Sequence, residues 1–176
     1  MIKKEVLNGI HTNKGNNLYD LSMERPVLLV FLRQFGCLYC REALTDISNL
    51  LEQINERNIN LVLIHMSDLE LAKTYLDKYN LADEEQISDP NCESYAEFGL
   101  VKGSIGQLFG LKVWSRGFGQ ASKGNFYSLR QIGDALQMPG LFMLSKGVVK
   151  NMFIHNSIAD KPDYLNLIDD VIENLK

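Results

Sequence analysis

The chain is 176 residues long, 45% hydrophobic and 23% charged, the size and balance of one globular domain spanning residues 1–176. Its formal net charge of -4 leaves no basic face to displace counterions from a phosphate backbone, which argues against a nucleic-acid binder. The 3 cysteines, two of them close together as Cys37 and Cys40, do not suit a secreted disulfide framework and direct attention to reversible thiol chemistry.

Residues 1–20 lack the apolar core of a signal peptide, and no stretch approaches the roughly 20 apolar residues of a membrane-spanning helix. A soluble, cytoplasmic protein with no membrane partner is expected. Asn13-Lys14-Gly15-Asn16-Asn17 are turn residues between 6–12 and 18–21, and predict a short N-terminal β-hairpin. Pro26 opens a continuous apolar run over 27–32, the pattern of a strand buried on both faces. After Arg33-Gln34-Phe35-Gly36 the period becomes helical from Cys37, with Cys40, Ala43, Leu44, Ile47, Leu50, Leu51 and Ile54 on one face.

A second apolar run over 59–66 predicts another strand. Ser67 and Glu70 follow, spaced for reciprocal capping of a helix to about Tyr79. Ile87 sits in a short strand, Asp89-Pro90 reads as an N-cap and first helical residue, and Gly99 ends that helix. Residues 104–116 read as a helix weakened by glycine, and 117–133 as a loop. Two strands over 141–144 and 148–154, joined at Lys146-Gly147, make an antiparallel hairpin. Pro162 then starts a closing helix with Tyr164, Leu165, Ile168, Val171, Ile172 and Leu175 on one stripe. The sum is an α/β fold, a central mixed β-sheet flanked by helices, with the N-terminal β-hairpin as an extension.

Cys37-Leu38-Tyr39-Cys40 straddles a strand-to-helix turn. Unpaired N–H groups and the positive dipole end at a helix start favour a thiolate, which makes Cys37 the candidate nucleophile. Cys40, about one turn further in and on the apolar stripe, is placed to close a small disulfide ring as the resolving thiol. Arg33 and Arg41 flank the pair and either favour the thiolate and an incoming oxyanion or are solvated. No second pair follows at zinc-ligand spacing, with Cys92, His65 and His155 scattered, so no metal is expected. The competing reading is that both thiols are packing residues. Cys92 is either a further resolving partner or a small packed side chain, and His155 either a base or proton donor or a structural residue. Met138-Pro139-Gly140 forms a turn entering the hairpin strand.

A cysteine pair at the first strand-to-helix turn, with a proline entering the hairpin before the last helix, resembles the thioredoxin fold. That resemblance implies a cis Pro139 facing the dithiol and a Met138 backbone left to pair with bound substrate. More closely, residues 31–42, residues 133–140 and His155 with Asp160-Lys161-Pro162-Asp163-Tyr164 resemble the peroxiredoxin-like AhpC/TSA proteins related to selenoprotein L. Antioxidant thiol redox activity is what this implies. Peroxiredoxins carry a threonine or serine three residues before the peroxidatic cysteine and a proline seven before. Counted from Cys37 those places hold Gln34 and Val30; counted from Cys40 they hold Cys37 and Arg33. Neither frame supplies the hydroxyl, and the second would reverse the roles of the two thiols. For the family's active-site arginine, Arg116 and Arg130 are the candidates by elimination.

Two classes of function follow. One is a thiol oxidoreductase or peroxidase cycling Cys37 and Cys40 between dithiol and disulfide, through a mixed disulfide or a sulfenic acid according to the oxidant. It needs no bound cofactor, takes a disulfide or peroxide substrate and is restored by a protein or small-thiol reductant. The other is a redox-inert binding module, or a sensor whose disulfide alters a partner surface without turnover. No sequence feature specifies an oligomeric state.

Overall fold

The computed structural model describes residues 2–104, 134 and 136–175. The run after Pro26 forms β1 (Val27–Phe31), with all five residues buried. β2 (Asn60–His65) and β3 (Glu85–Ser88) run parallel to it, while β4 (Gly140–Ser145) and β5 (Val148–Ile154) complete the sheet through antiparallel pairing. The strand order is β3-β2-β1-β4-β5. At the centre, Leu29 pairs with Val62 on one side and Phe142 on the other.

The apolar run is continuous because both faces of β1 are covered. Leu28 and Val30 pack with α3 (Leu38–Glu56), α4 (Leu69–Leu76) and α6 (Tyr164–Glu173) through Leu44, Ile47, Ala72 and Ile168. Val27, Leu29 and Phe31 pack on the opposite face with α1 (Lys4–Gly9), α2 (Leu18–Glu24) and α5 (Glu93–Glu97) through Leu7, Leu18, Leu21 and Tyr95. Each such side chain contributes about 1.5–3 kcal/mol when withdrawn from water, so polar residues on either face would be excluded.

The expected N-terminal hairpin contracts to one antiparallel bridge between His11 and Asn17. Its turn is closed by Thr12 N–H donating to Asn16 at 2.9 Å and Gly15 N–H to Thr12 at 3.0 Å. Its flanks are the helices α1 and α2. The Asn17 side chain accepts from the Asp20 N–H and caps α2, and Leu18 and Leu21, one turn apart, bury together against the sheet. A strand would send alternate residues outward, so the helix buries more apolar surface here.

Other boundaries move locally. Asp68, not Ser67, caps α4 through the Leu71 N–H. Asp89 accepts from the N–H groups of Glu93 and Ser94 at 2.9 and 2.7 Å, and Cys92, at φ +58°, stands at the N-cap of α5. Lys146 and Gly147 both have positive φ, at 51° and 72°, as a two-residue turn between twisted strands requires. The readings of a helix and loop over 105–133 lie outside the described residues.

Candidate active site

β1 ends where the Leu32 N–H donates to Ile64 at 2.8 Å, and the Tyr95 hydroxyl from α5 donates to the Leu32 carbonyl. The chain then folds back. Cys37 N–H donates to the Gln34 carbonyl at 3.0 Å, and the Cys37 carbonyl accepts from Arg41 N–H at 3.1 Å. Cys37 is thereby the N-cap of α3, with extended backbone at φ -76°, ψ 130°. This places its sulfur beside the unpaired N–H groups of the first helical turn.

Both thiols are free and buried. Cys37 is drawn from 9.0 down to about 6, first by a hydrogen bond from the Cys40 thiol, against the upward push of burial. The Arg33 guanidinium, with Nη1 3.3 Å from Cys37 Sγ, and the Cys40 and Tyr39 N–H groups lower it further. Cys40 moves well upward, because its proton is held in the bond to Cys37 and because it is buried. The Gln34 N–H donates to Cys40 Sγ at 3.4 Å. Near pH 7 these opposite shifts favour ionisation of Cys37 over Cys40.

A cavity of about 40 Å³ opens onto the two sulfurs, with Arg33 lining it and Tyr39, Leu141 and Ile158 as apolar wall. One water needs roughly 10–15 Å³ of such space; the cavity has room for a peroxide O–O unit. Pro139 and His155 line it as well. Burial pushes His155 down to about 4, outweighing the upward pulls of Asp160 and the Pro139 backbone, so the ring is neutral near pH 7. Its Nδ1 is buried without a hydrogen-bond partner. At the rim, Lys161 pairs with Asp46 at 2.7 Å and Glu42 at 3.7 Å, tying the segment before α6 to α3.

Among the residues singled out from the sequence, Cys37, Cys40, Arg33, Pro139 and His155 meet at this cavity. Arg41 is not among its lining side chains; its charge acts on the Tyr79 hydroxyl. Met138 is also absent from the lining. Its N–H donates to Val101 at 3.3 Å, so the backbone expected to be left for substrate already has a partner. The side chain is buried with Ile158 beside Tyr39.

The Met138-Pro139 bond is trans, since no described peptide bond is cis. This corrects the cis geometry implied by the resemblance and follows the ordinary preference of X-Pro bonds. Cys92 packs with the cluster on the α1 and α2 face, away from the cavity, and burial raises its thiol. Arg116 and Arg130 lie outside the described residues. Among the described residues, no three His, Cys, Asp or Glu side chains stand together as metal ligands.

Two contributors escaped the sequence reading, and a third, His65, was named there without a role. Tyr95, whose hydroxyl fixes the end of β1, lies in a short helix where no sequence motif singles it out. Lys161 lay in a motif without a role attached to it. His65 is buried with its ring centroid 5.5 Å from that of Phe35, in the loop before Cys37, and is pushed by burial to about 4; the apolar run placed it in a strand, and its packing against Phe35 arises only in the fold.

Comparison with known proteins gives a consistent picture. Residues 46–157 match the AhpC/TSA antioxidant enzyme family, a span beginning after the cysteine pair. A prostamide/prostaglandin F synthase of Xenopus laevis is 34% identical over 158 residues, covering 85% of this chain and 74% of that protein. Among solved structures, peroxiredoxin Q of Xanthomonas campestris superposes with a TM-score of 0.63 at 14% identity, over 97% of this chain and 92% of that one. A yeast mitochondrial 1-Cys peroxiredoxin, studied for thiol resolving through glutathione/thioredoxin systems, gives 0.62 at 14% identity, over 94% and 71%. These likenesses, with the mixed sheet flanked by helices, establish a thioredoxin-like peroxiredoxin fold.

Proposed function

Because the chain belongs to the AhpC/TSA antioxidant enzyme family, a family of redox enzymes, we propose that it reduces peroxides with Cys37 as the attacking thiolate and Cys40 as the resolving thiol. The observation that carries this reading is the contact of Arg33 Nη1 with Cys37 Sγ at 3.3 Å, made inside a cavity that also holds Cys40. A buried cation stabilises a thiolate and then the negative charge that passes to the departing oxygen.

The Cys37 thiolate attacks one peroxide oxygen, the O–O bond breaks, and the sulfur becomes a sulfenic acid while the alkoxide leaves. That alkoxide takes the proton given up when Cys37 ionised. Cys40 then attacks the oxidised sulfur, its own proton leaves with the hydroxide as water, and the Cys37–Cys40 disulfide forms. A hydroperoxide and two thiols thus give an alcohol, water and a disulfide. Two electrons from a protein dithiol or small thiol restore the pair; the relation to a peroxiredoxin served by glutathione/thioredoxin systems supports such a donor. The apolar wall of Tyr39, Leu141 and Ile158 suits a hydrocarbon substituent, and the relative named for prostamides and prostaglandins supports an organic substrate.

The test is single-turnover oxidation of the reduced protein by one equivalent of hydroperoxide, followed by peptide mapping. A Cys37–Cys40 disulfide should form, Cys37→Ser should abolish rapid thiol loss, and Cys40→Ser should accumulate a sulfenic acid at Cys37. Rapid oxidation of Cys40 in Cys37→Ser would reverse the order, and thiol loss no faster than that of free cysteine would remove the peroxidase reading.

A further inference from the structure

We infer that residues 100–103 of this chain occupy the main-chain docking edge beside the cysteine pair, so that the site takes small-molecule oxidants and excludes extended polypeptide disulfides. The inference rests on the proposed attack by Cys37. An extended polypeptide docks by adding a strand to free N–H and C=O groups, with alternate side chains entering pockets. In this chain, the backbone next to Pro139 has no such freedom.

Residues 100–103 lie along 136–138 as a short antiparallel partner, with a bridge between Lys102 and Gln137. Gly103 N–H donates to the Leu136 carbonyl at 2.7 Å, and Met138 N–H donates to the Val101 carbonyl at 3.3 Å. Side chains clamp the pairing from both ends. Gln137 Nε2 donates to the Leu100 carbonyl at 3.0 Å, and Lys102 pairs with Asp134 at 2.8 Å.

The close approach is built into β4 as well. A Cβ at Gly140 would stand 2.7 Å from a Leu100 methyl, so glycine lets this strap lie flush against the start of the strand. Met138, held under the strap, packs with Ile158 beside Tyr39, the residue between Leu38 and Cys40. A polypeptide guest would have to displace these internal bonds before gaining its own. A hydroperoxide entering past Tyr39 and Ile158 displaces none.

In a disulfide reaction the Cys37 thiolate would break the guest S–S bond, releasing one guest thiolate that takes a proton. Cys40 would then release the second guest thiol as the Cys37–Cys40 disulfide forms, moving two electrons to the guest. The experiment compares this reaction with peroxide reduction, using reduced full-length protein in single turnovers. One arm uses cumene hydroperoxide and the other an unstructured peptide carrying a disulfide. The same two arms are run on Gly103→Pro, which deletes the donor to Leu136, and on Gln137→Ala, which deletes the clamp.

The wild-type protein should react with the hydroperoxide and show peptide exchange at least about a hundredfold slower. Each variant should raise peptide exchange about tenfold or more while leaving the hydroperoxide rate within about twofold. Wild-type peptide exchange as fast as hydroperoxide reduction would overturn the inference, as would a variant with an intact hydroperoxide rate and no gain on the peptide. The milder Gln137→Ala decides the matter if the proline variant misfolds. Failure of the hydroperoxide arm in the wild type would instead strike the Cys37 reading, leaving the peptide arm to report on the strap.

Discussion

Replacing Cys40 by alanine tests whether the second thiol sets the ionisation of the first. The Cys40 thiol is the largest of the influences that hold Cys37 at about 6 instead of 9.0. A hydrogen bond to a charged group contributes about 1.5–3 kcal/mol, and about 1.4 kcal/mol moves an ionisation by one pH unit. Cys40→Ala should therefore carry the Cys37 midpoint up by about one to two pH units, to between about 7 and 8. Cys40→Ser, which keeps an O–H donor at that place, should restore most of the difference. The assay is ultraviolet thiolate absorbance against pH, in a Cys92→Ser background so that Cys37 is the one remaining thiol. Alkylation rate at pH 7 is a poor substitute. Fewer thiolates are offset by a more nucleophilic one, with a Brønsted slope of about 0.4–0.5, so the rate should change by no more than about twofold. A midpoint that stays near 6 in Cys40→Ala, or is the same in the alanine and serine variants, refutes the reasoning.

Arg33→Met removes the guanidinium 3.3 Å from Cys37 Sγ. It should raise the Cys37 midpoint and slow hydroperoxide reduction by about a hundredfold, with a much smaller loss in alkylation, because alkylation develops no oxyanion; equal losses in the two assays would deny Arg33 any role toward oxygen. Acid should destabilise the protein through three groups in two successive windows, Cys37 in the first and His65 with His155, both depressed to about 4, in the second. Cys37 is depressed to about 6, so its contribution is fully present above 9.0 and is lost as pH falls through about 6. His65 is depressed to about 4, so between 6.5 and 4 the unfolded chain binds a proton that the folded chain does not, at a cost of about 3 kcal/mol. Urea unfolding of His65→Phe should be flatter across pH 6.5 to 4 than that of the parent, and an unchanged slope would contradict the burial argument.

The elements most legible in the sequence were those whose own residues decide their burial. The run over 27–31 admits no polar residue because helices cover both faces of β1, and the α3 stripe follows from Cys40, Leu44, Ile47 and Ile54 all being buried. The N-terminal turn was legible too, but turn residues say nothing about their flanks. Helices as short as Lys4–Gly9 and Leu18–Glu24 show too few periods to separate from strands. At the site, spacing alone placed the two cysteines at a helix start. It could not separate Arg33 from Arg41, since one precedes the turn and enters the cavity while the other is carried along α3 toward Tyr79. The occupied Met138 backbone was beyond reach, because its partner Val101 arrives by tertiary pairing.

The missing hydroxyl is the main departure from the peroxiredoxin pattern, and the local geometry suggests how the chain manages without it. Counted from Cys37, the hydroxyl's place falls to Gln34, which is not among the cavity's lining residues. Counted from Cys40, it falls to Cys37 itself. That second frame asks Cys40 to attack, yet Cys40 holds its proton against Cys37 and is pushed well above the ordinary thiol range; attack from it would begin by ionising the harder of two thiols. In the first frame, the proposed mechanism gives Arg33 the work divided elsewhere between hydroxyl and arginine. Its guanidinium has five donors in a rigid fork, one of which already faces Cys37 Sγ. As the S–O bond forms, negative charge leaves the sulfur and builds on the departing oxygen, both within the same small cavity. A cation fixed by burial can follow that transfer without reorganising, which is the condition under which electrostatic stabilisation lowers a barrier most. A lysine in its place would keep the charge and lose the fork, so Arg33→Lys should recover the thiolate midpoint but only part of the peroxide rate.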